Sequence, residues 1–196
     1  MHEAAKLIRA GAVVAIPTDT LYGLAANPFS EEAVLRVFAA KGRPADRQLP
    51  LVAADVGQIE AHLGRLPPRA AALAARFWPG PLTLVIAAPA GLAPQVTAGT
   101  GSVGVRVPAA AVARAVSLAV GHPITATSAN ISDEPGTADP AVVEASLGDR
   151  IDLLIDGGTT PGGPASTIVD MTVNPPALVR AGAISWEQVQ ACLASA

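Results

Sequence analysis

Short apolar runs cut off by proline or glycine, set irregularly among capped helix starts, are the feature that most constrains this fold. Ala12 to Ile16 is broken by Pro17, Leu82 to Ala87 follows Pro79-Gly80-Pro81, and Val103 to Val107 is closed by Pro108. Proline cannot donate to a sheet ladder, so these runs read as short, sharply bounded strands. Leu49 to Ala53, residues 123–127, Leu153 to Ile155, Thr167 to Val169 and Ala177 to Val179 read as further strands. Helices are predicted over residues 3–10, stopped by Gly11, and over 110–120. Ser30 N-caps another, with Glu31 and Glu32 in its first turn and Val34, Val37 and Phe38 on its buried face. Asp55 with Gln58 and Ser185 with Gln188 have capping-box spacing, Pro67-Pro68 opens a helix running to Phe77, and Asp139-Pro140 opens one more. There is no regular strand–helix repeat. The pattern predicts an α/β fold with a twisted mixed sheet, not a doubly wound sheet or a TIM barrel. The 196 residues are expected to form a single domain, 1–196. The Pro/Gly-rich segments 88–104 and 156–165 read as ordered loops over a site.

Composition removes several classes of function. Half of the residues are hydrophobic, yet no uncharged apolar run reaches the length of a membrane span. Glu3, Lys6 and Arg9 interrupt the N-terminus, so no signal peptide is expected there. Cys192 is the single cysteine, which excludes an internal disulfide and suits a cytoplasmic location. A net charge of −3 argues against a broad basic surface for nucleic acid and leaves room for one local basic pocket. The only lysines are Lys6 and Lys41; the remaining basic residues are arginine.

Common catalytic motifs are absent or out of context. Gly99-x-Gly101-x-x-Gly104 matches a dinucleotide fingerprint literally, but a strand follows where a helix is needed. No Walker A sequence occurs. His2, His62 and His122 are scattered, so no protein-held metal is expected. No serine sits in a nucleophile elbow, and Cys192 lies in the last helix, where packing accounts for it.

Three polar segments remain at the ends of apolar strands. Pro17 to Leu24 carries Thr18, Asp19, Thr20 and Tyr22. Lys41-Gly42-Arg43-Pro44 places two cations two residues apart just after a helix. They either hold a polyanion such as a triphosphate or form a solvated helix end. Ser128 and Asn130 fall on one side of an extended segment, where they can face one ligand or close an Asx turn. Arg106 lies inside the apolar run 103–107, and there it either has a partner or ligand, or faces an edge.

Taken together these segments resemble the YrdC family, the threonylcarbamoyl-AMP synthases. The matching runs are residues 17–24, 41–44, Phe77-Trp78-Pro79-Gly80-Pro81-Leu82-Thr83, 103–108, Ser128-Ala129-Asn130-Ile131-Ser132, Ser166-Thr167-Ile168-Val169-Asp170 and Arg180-x-Gly182. Each is weak alone, but seven in order along one chain are specific. The resemblance implies helices and a twisted sheet around a large electropositive cavity. It implies an enzyme that joins L-threonine, bicarbonate and ATP into threonylcarbamoyl-AMP with release of pyrophosphate. A downstream tRNA threonylcarbamoyl transferase complex would pass the group to an adenosine beside certain anticodons.

By resemblance, Lys41 and Arg43 are the catalytic pair and hold phosphates, with Arg47 nearby. Ser102, Ser128, Asn130 and Arg180 also bind ATP. Thr20, Arg106, the Ala126 backbone and Ser166 form the threonine side, with Arg106 set against the substrate carboxylate. Mg2+ arrives with ATP, held by phosphates. The chain departs from its relatives at Gln48, where many have proline, at Val52, where some have histidine, and at Gly136, where a serine can touch ATP. It is also expected to lack the C-terminal domain that covers the site in longer members. The alternatives are a paralog acting on another carbamoyl-type substrate, or a module binding tRNA or double-stranded RNA.

Overall fold

The computed structural model describes residues 1–42, 44 and 47–195. Two mixed sheets share the core. The smaller has the order β7-β2-β1-β8, where β1 is Val14–Pro17, β2 Tyr22–Ala25, β7 Thr127–Ser128 and β8 Leu153–Leu154. The larger has the order β10-β9-β4-β5-β3-β6, with β3 at Leu51–Val52, β4 Leu82–Ala87, β5 Ser102–Arg106, β6 Ile124–Thr125, β9 Thr167–Asp170 and β10 Ala177–Arg180. Both sheets mix parallel and antiparallel pairs: β1 runs antiparallel to β2 and parallel to β8, and β4 antiparallel to β5 and parallel to β9.

The predicted strand 123–127 divides at Ala126. Its first half pairs with β3 in the larger sheet and its second with β2 in the smaller. Thr125 ties the sheets at this crossing. Its Oγ1 accepts from Ala26 N at 2.9 Å and donates to the Leu24 carbonyl at 3.2 Å. Ala126 N donates to the Pro50 carbonyl at 2.8 Å. One predicted strand therefore closes two sheets around a shared space, a placement that strand propensity cannot reveal.

Strand β1 is buried on both faces. Val13 and Ala15 enter the main core, whereas Val14 and Ile16 enter a second core built with helices α1 (His2–Arg9) and α6 (Ala111–Val120). Two-sided burial is why this run is apolar throughout rather than alternating. The capping signals are realised. Ser30 accepts from Ala33 N at the start of α2 (Glu31–Lys41), Asp139 from Ala141 N, and Ser185 with Gln188 forms a complete capping box. At α3 (Val56–Leu63) Asp55 accepts from Gln58 N, but the Gln58 side chain reaches Ala54 N instead of its reciprocal partner. Strand β2 falls in a stretch read as a polar site segment, and the short helix α5 (Pro94–Thr97) in one read as loop. Helix α5 buries Val96, and Leu49 N donates to its carbonyl, so segment 88–104 is packed structure. Among the described residues, no helix is long and apolar enough to cross a membrane.

Candidate active site

A cavity of about 440 Å³ opens where the sheets converge, lined from both of them. That volume lies in the range of about 300–1,000 Å³ usual for small-molecule sites. The charged side chains on its wall, among the described residues, are Arg106 and Arg180.

Arg106 ends β5 and is 9% exposed. Its Nε donates to the Gly80 carbonyl at 2.8 Å, and its Nη2 donates to Asp19 Oδ2. Asp19 Oδ2 also accepts from Ala109 N at 3.2 Å. Burial pulls the Arg106 pKa below the usual arginine value; the charge and hydrogen bond of Asp19 oppose this, and nearby Arg180 adds to it. The Gly80 carbonyl depends on a close chain approach, because a Cβ at Gly80 would lie 2.3 Å from the Phe77 carbonyl oxygen.

Arg180 comes from edge strand β10. The register of β10 on β9 slips between Leu178 and Arg180, a bulge that brings Arg180 opposite Ile168. Its Nη2 donates to the Ser166 carbonyl at 2.8 Å and to Ser166 Oγ at 3.1 Å. Ser166 Oγ lies 2.9 Å from Thr83 Oγ1, on the central strand β4. Arginine can only donate here. If Thr83 donates as well, the Ser166 hydroxyl proton is free to point into the cavity. Burial lowers the Arg180 pKa. Gly182 explains the spacing of its motif: a Cβ there would lie 2.3 Å from the Ala165 carbonyl oxygen, on the segment that carries Ser166.

Thr20, Ala126 and Ser128 complete the polar wall. The Thr20 carbonyl accepts from Gly162 N at 2.9 Å and from Thr160 Oγ1 at 2.7 Å. Tyr22 Oη donates to the Gly158 carbonyl at 2.7 Å and accepts from Gly157 N at 3.1 Å. The 156–165 loop is thus pinned at its base, and Gly163 and Ala165 reach the cavity.

Of the other predicted site residues that are described, Lys41, Arg47, Ser102 and Asn130 do not line it. Ser128 and Asn130 diverge because β7 ends at Ser128. The Asn130 amide donates to the Ile131 and Glu134 carbonyls, both at 2.7 Å, closing the turn. Lys41 is 2% exposed, and its Nζ donates to the Ser128 carbonyl and to the Asn130 carbonyl and Oδ1. Ser102 is held by the Gln48 amide through its carbonyl and its Oγ, both at 3.2 Å. Arg47 is exposed, 3.4 Å from Asp133. Arg43 lies outside the described residues. Two residues at the site had no role assigned from sequence, Thr83 on the wall and Asp19 behind Arg106. Thr83 is signalled by a lone hydroxyl in an apolar strand. Asp19 is the other half of the charge question that Arg106 raises.

The chain matches the Sua5, YciO and YrdC family model, described as telomere recombination, over residues 6–182, and it belongs to that family. A threonylcarbamoyl-AMP synthase of Pyrococcus abyssi is 43% identical over 187 residues, covering 95% of this chain and 55% of that protein. A threonylcarbamoyl-AMP synthase of Bacillus subtilis is 42% identical over 192 residues, covering 97% and 56%. The crystal structure of P. abyssi Sua5 complexed with L-threonine superposes with a TM-score of 0.92 at 42% identity, over 97% of this chain and 56% of that one. The chain therefore spans just over half the length of these relatives.

Proposed function

We propose that this chain carries the threonylcarbamoyl-AMP synthase activity named for its relatives, making threonylcarbamoyl-AMP and pyrophosphate from L-threonine, bicarbonate and ATP. The observation that carries this reading is Arg106, a buried arginine on the wall of a cavity whose fold matches a threonine-bound relative over nearly the whole chain. A guanidinium matches a carboxylate in charge and in planar geometry. Ser166 and Thr20 supply hydroxyls beside it for the amino-acid end.

The chemistry asks little of the protein beyond placement. Threonine's amine and bicarbonate condense to a carbamate with loss of water. A carbamate oxygen then attacks the α-phosphorus of ATP, forming one P–O bond as the bond to pyrophosphate breaks. No side-chain nucleophile is required. The protein aligns the carbamate with the phosphate, balances charge and excludes water. In this reading Ser128 and Arg180 meet the nucleotide directly. Lys41 and Asn130 hold the Ser128 loop in shape, and Arg43 and Arg47 keep the phosphate role that the resemblance gives them. In this reading Mg2+ enters bound to ATP phosphates. The product is labile, and its acceptor in this reading is a tRNA threonylcarbamoyl transferase in the cytoplasm.

Pyrophosphate release from ATP tests the proposal. It should require both L-threonine and bicarbonate, and a labile adenylate should be captured by mass spectrometry. Release that ignores threonine, or that responds to carbamoyl phosphate instead, would point to another carbamoyl-type substrate.

A further inference from the structure

Two of the three Arg106 guanidinium nitrogens are tied down. Nε is fixed by the Gly80 carbonyl and Nη2 by Asp19. The ion pair is one-pronged, because Asp19 Oδ2 takes Arg106 and Ala109 N while Oδ1 is buried with no hydrogen-bond partner among the described residues. Nη1 has no partner among them either, and it is not an enclosed atom. A guanidinium is rigid and planar, so fixing two nitrogens fixes where the third points. A two-pronged carboxylate would have taken a second donor from any ligand.

We infer that Asp19 is a positioning residue for threonine recognition: by holding Arg106 through a single oxygen, it fixes the guanidinium plane and leaves Nη1 open to the substrate carboxylate. This rests on the threonine-site reading above. The opposite role has a distinct signature. If Asp19 were instead a competitor that occupies Arg106 until substrate displaces it, removing its side chain would tighten threonine binding.

Asp19→Asn keeps an acceptor for Nη2, whereas Asp19→Ala removes it. Calorimetry with L-threonine should show Asp19→Ala weakened by about tenfold or more, the scale of one charge-assisted contact. Asp19→Asn should stay within about threefold of wild type, since the acceptor survives. The Arg106 Nη–H resonances, assigned by their loss in Arg106→Lys, should be resolved and exchange slowly with solvent in wild type and Asp19→Asn, and should collapse to one fast-exchanging signal in Asp19→Ala. Wild-type or tighter threonine binding by Asp19→Ala would overturn the inference. So would Nη–H protons that stay resolved and protected in that variant, because the guanidinium would then be held without Asp19. Should wild-type protein bind no threonine at all, the threonine-site reading is what fails, and the Nη–H measurement still decides whether Asp19 fixes the guanidinium.

Discussion

Lys41, in the last turn of α2, holds the main chain at Asn130: its Nζ donates to the Asn130 carbonyl at 2.7 Å and to Oδ1 at 3.3 Å. From sequence alone Lys41 has a phosphate role that alanine would abolish without disturbing the fold. A buried ammonium bonded to main-chain carbonyls carries structural weight as well. Lys41→Ala is expected to lose stability by roughly 1–3 kcal/mol, the cost of leaving a buried acceptor unpaired. Urea denaturation against wild type measures this. An unchanged midpoint would show that the clamp contributes nothing.

Arg106→Ala should weaken L-threonine binding by roughly 1.5–3 kcal/mol, the range for hydrogen bonds to charged groups. ATP binding should change little. The substitution also strands the Asp19 carboxylate, which costs stability on the order of 3–5 kcal/mol when a buried pair is broken. Repeating it in an Asp19→Asn background removes that second effect. Calorimetry with each substrate separates them; loss of ATP binding with threonine binding intact reverses the assignment.

Gly136 stands against the Ser128 loop. A Cβ there would sit 3.4 Å from Ser128 Cβ and 2.8 Å from Leu21 Cδ1, the end of a flexible side chain that can turn aside. Gly136→Ser is therefore tolerated and adds a hydroxyl beside the Ser128 loop. Nucleotide affinity should rise by about 0.5–1.5 kcal/mol, the net worth of one hydrogen bond. An ATP titration that shows weaker binding would place the nucleotide elsewhere.

His122 sets a pH dependence away from the site. Its pKa is lowered by burial, against the opposing hydrogen bond to the Pro123 carbonyl, and lowered further by the charges of His62 and Arg9. Phe29 packs edge-on against its ring at 5.2 Å. The folded protein therefore binds the proton less readily than the unfolded chain does. Stability from this group is present above the unfolded value of 6.5 and is lost as pH falls through it toward the folded pKa. Denaturant curves at several pH values should show this slope in wild type, and His122→Asn should flatten it.

The caps at Ser30, Asp55, Asp139 and Ser185 were legible because each joins a side chain to a backbone N–H two or three residues on. Strands β1, β4 and β5 were legible because proline or glycine bounds an apolar run. Strand β2 was not: of its neighbours, Thr18 and Thr20 face the cavity and Asp19 pairs with Arg106, and this polar stretch hides the strand that follows. Six of the residues that the motif segments nominated meet on one cavity wall. The sequence offered no sign that Lys41 turns to main-chain carbonyls.

Local chemistry decided where helices start, where strands stop and which segments carry polar groups, since those choices depend on neighbours within a turn or two. The chain's order of motifs also determined its family. Tertiary structure alone decided that residues 124–128 cross from one sheet to the other at Ala126, that a bulge on an edge strand aims Arg180, and that Asp19 meets Arg106 across 87 residues of chain. Such pairings arise from the closing of two sheets on each other, where burial forces each charge to find a partner that no sequence spacing announces.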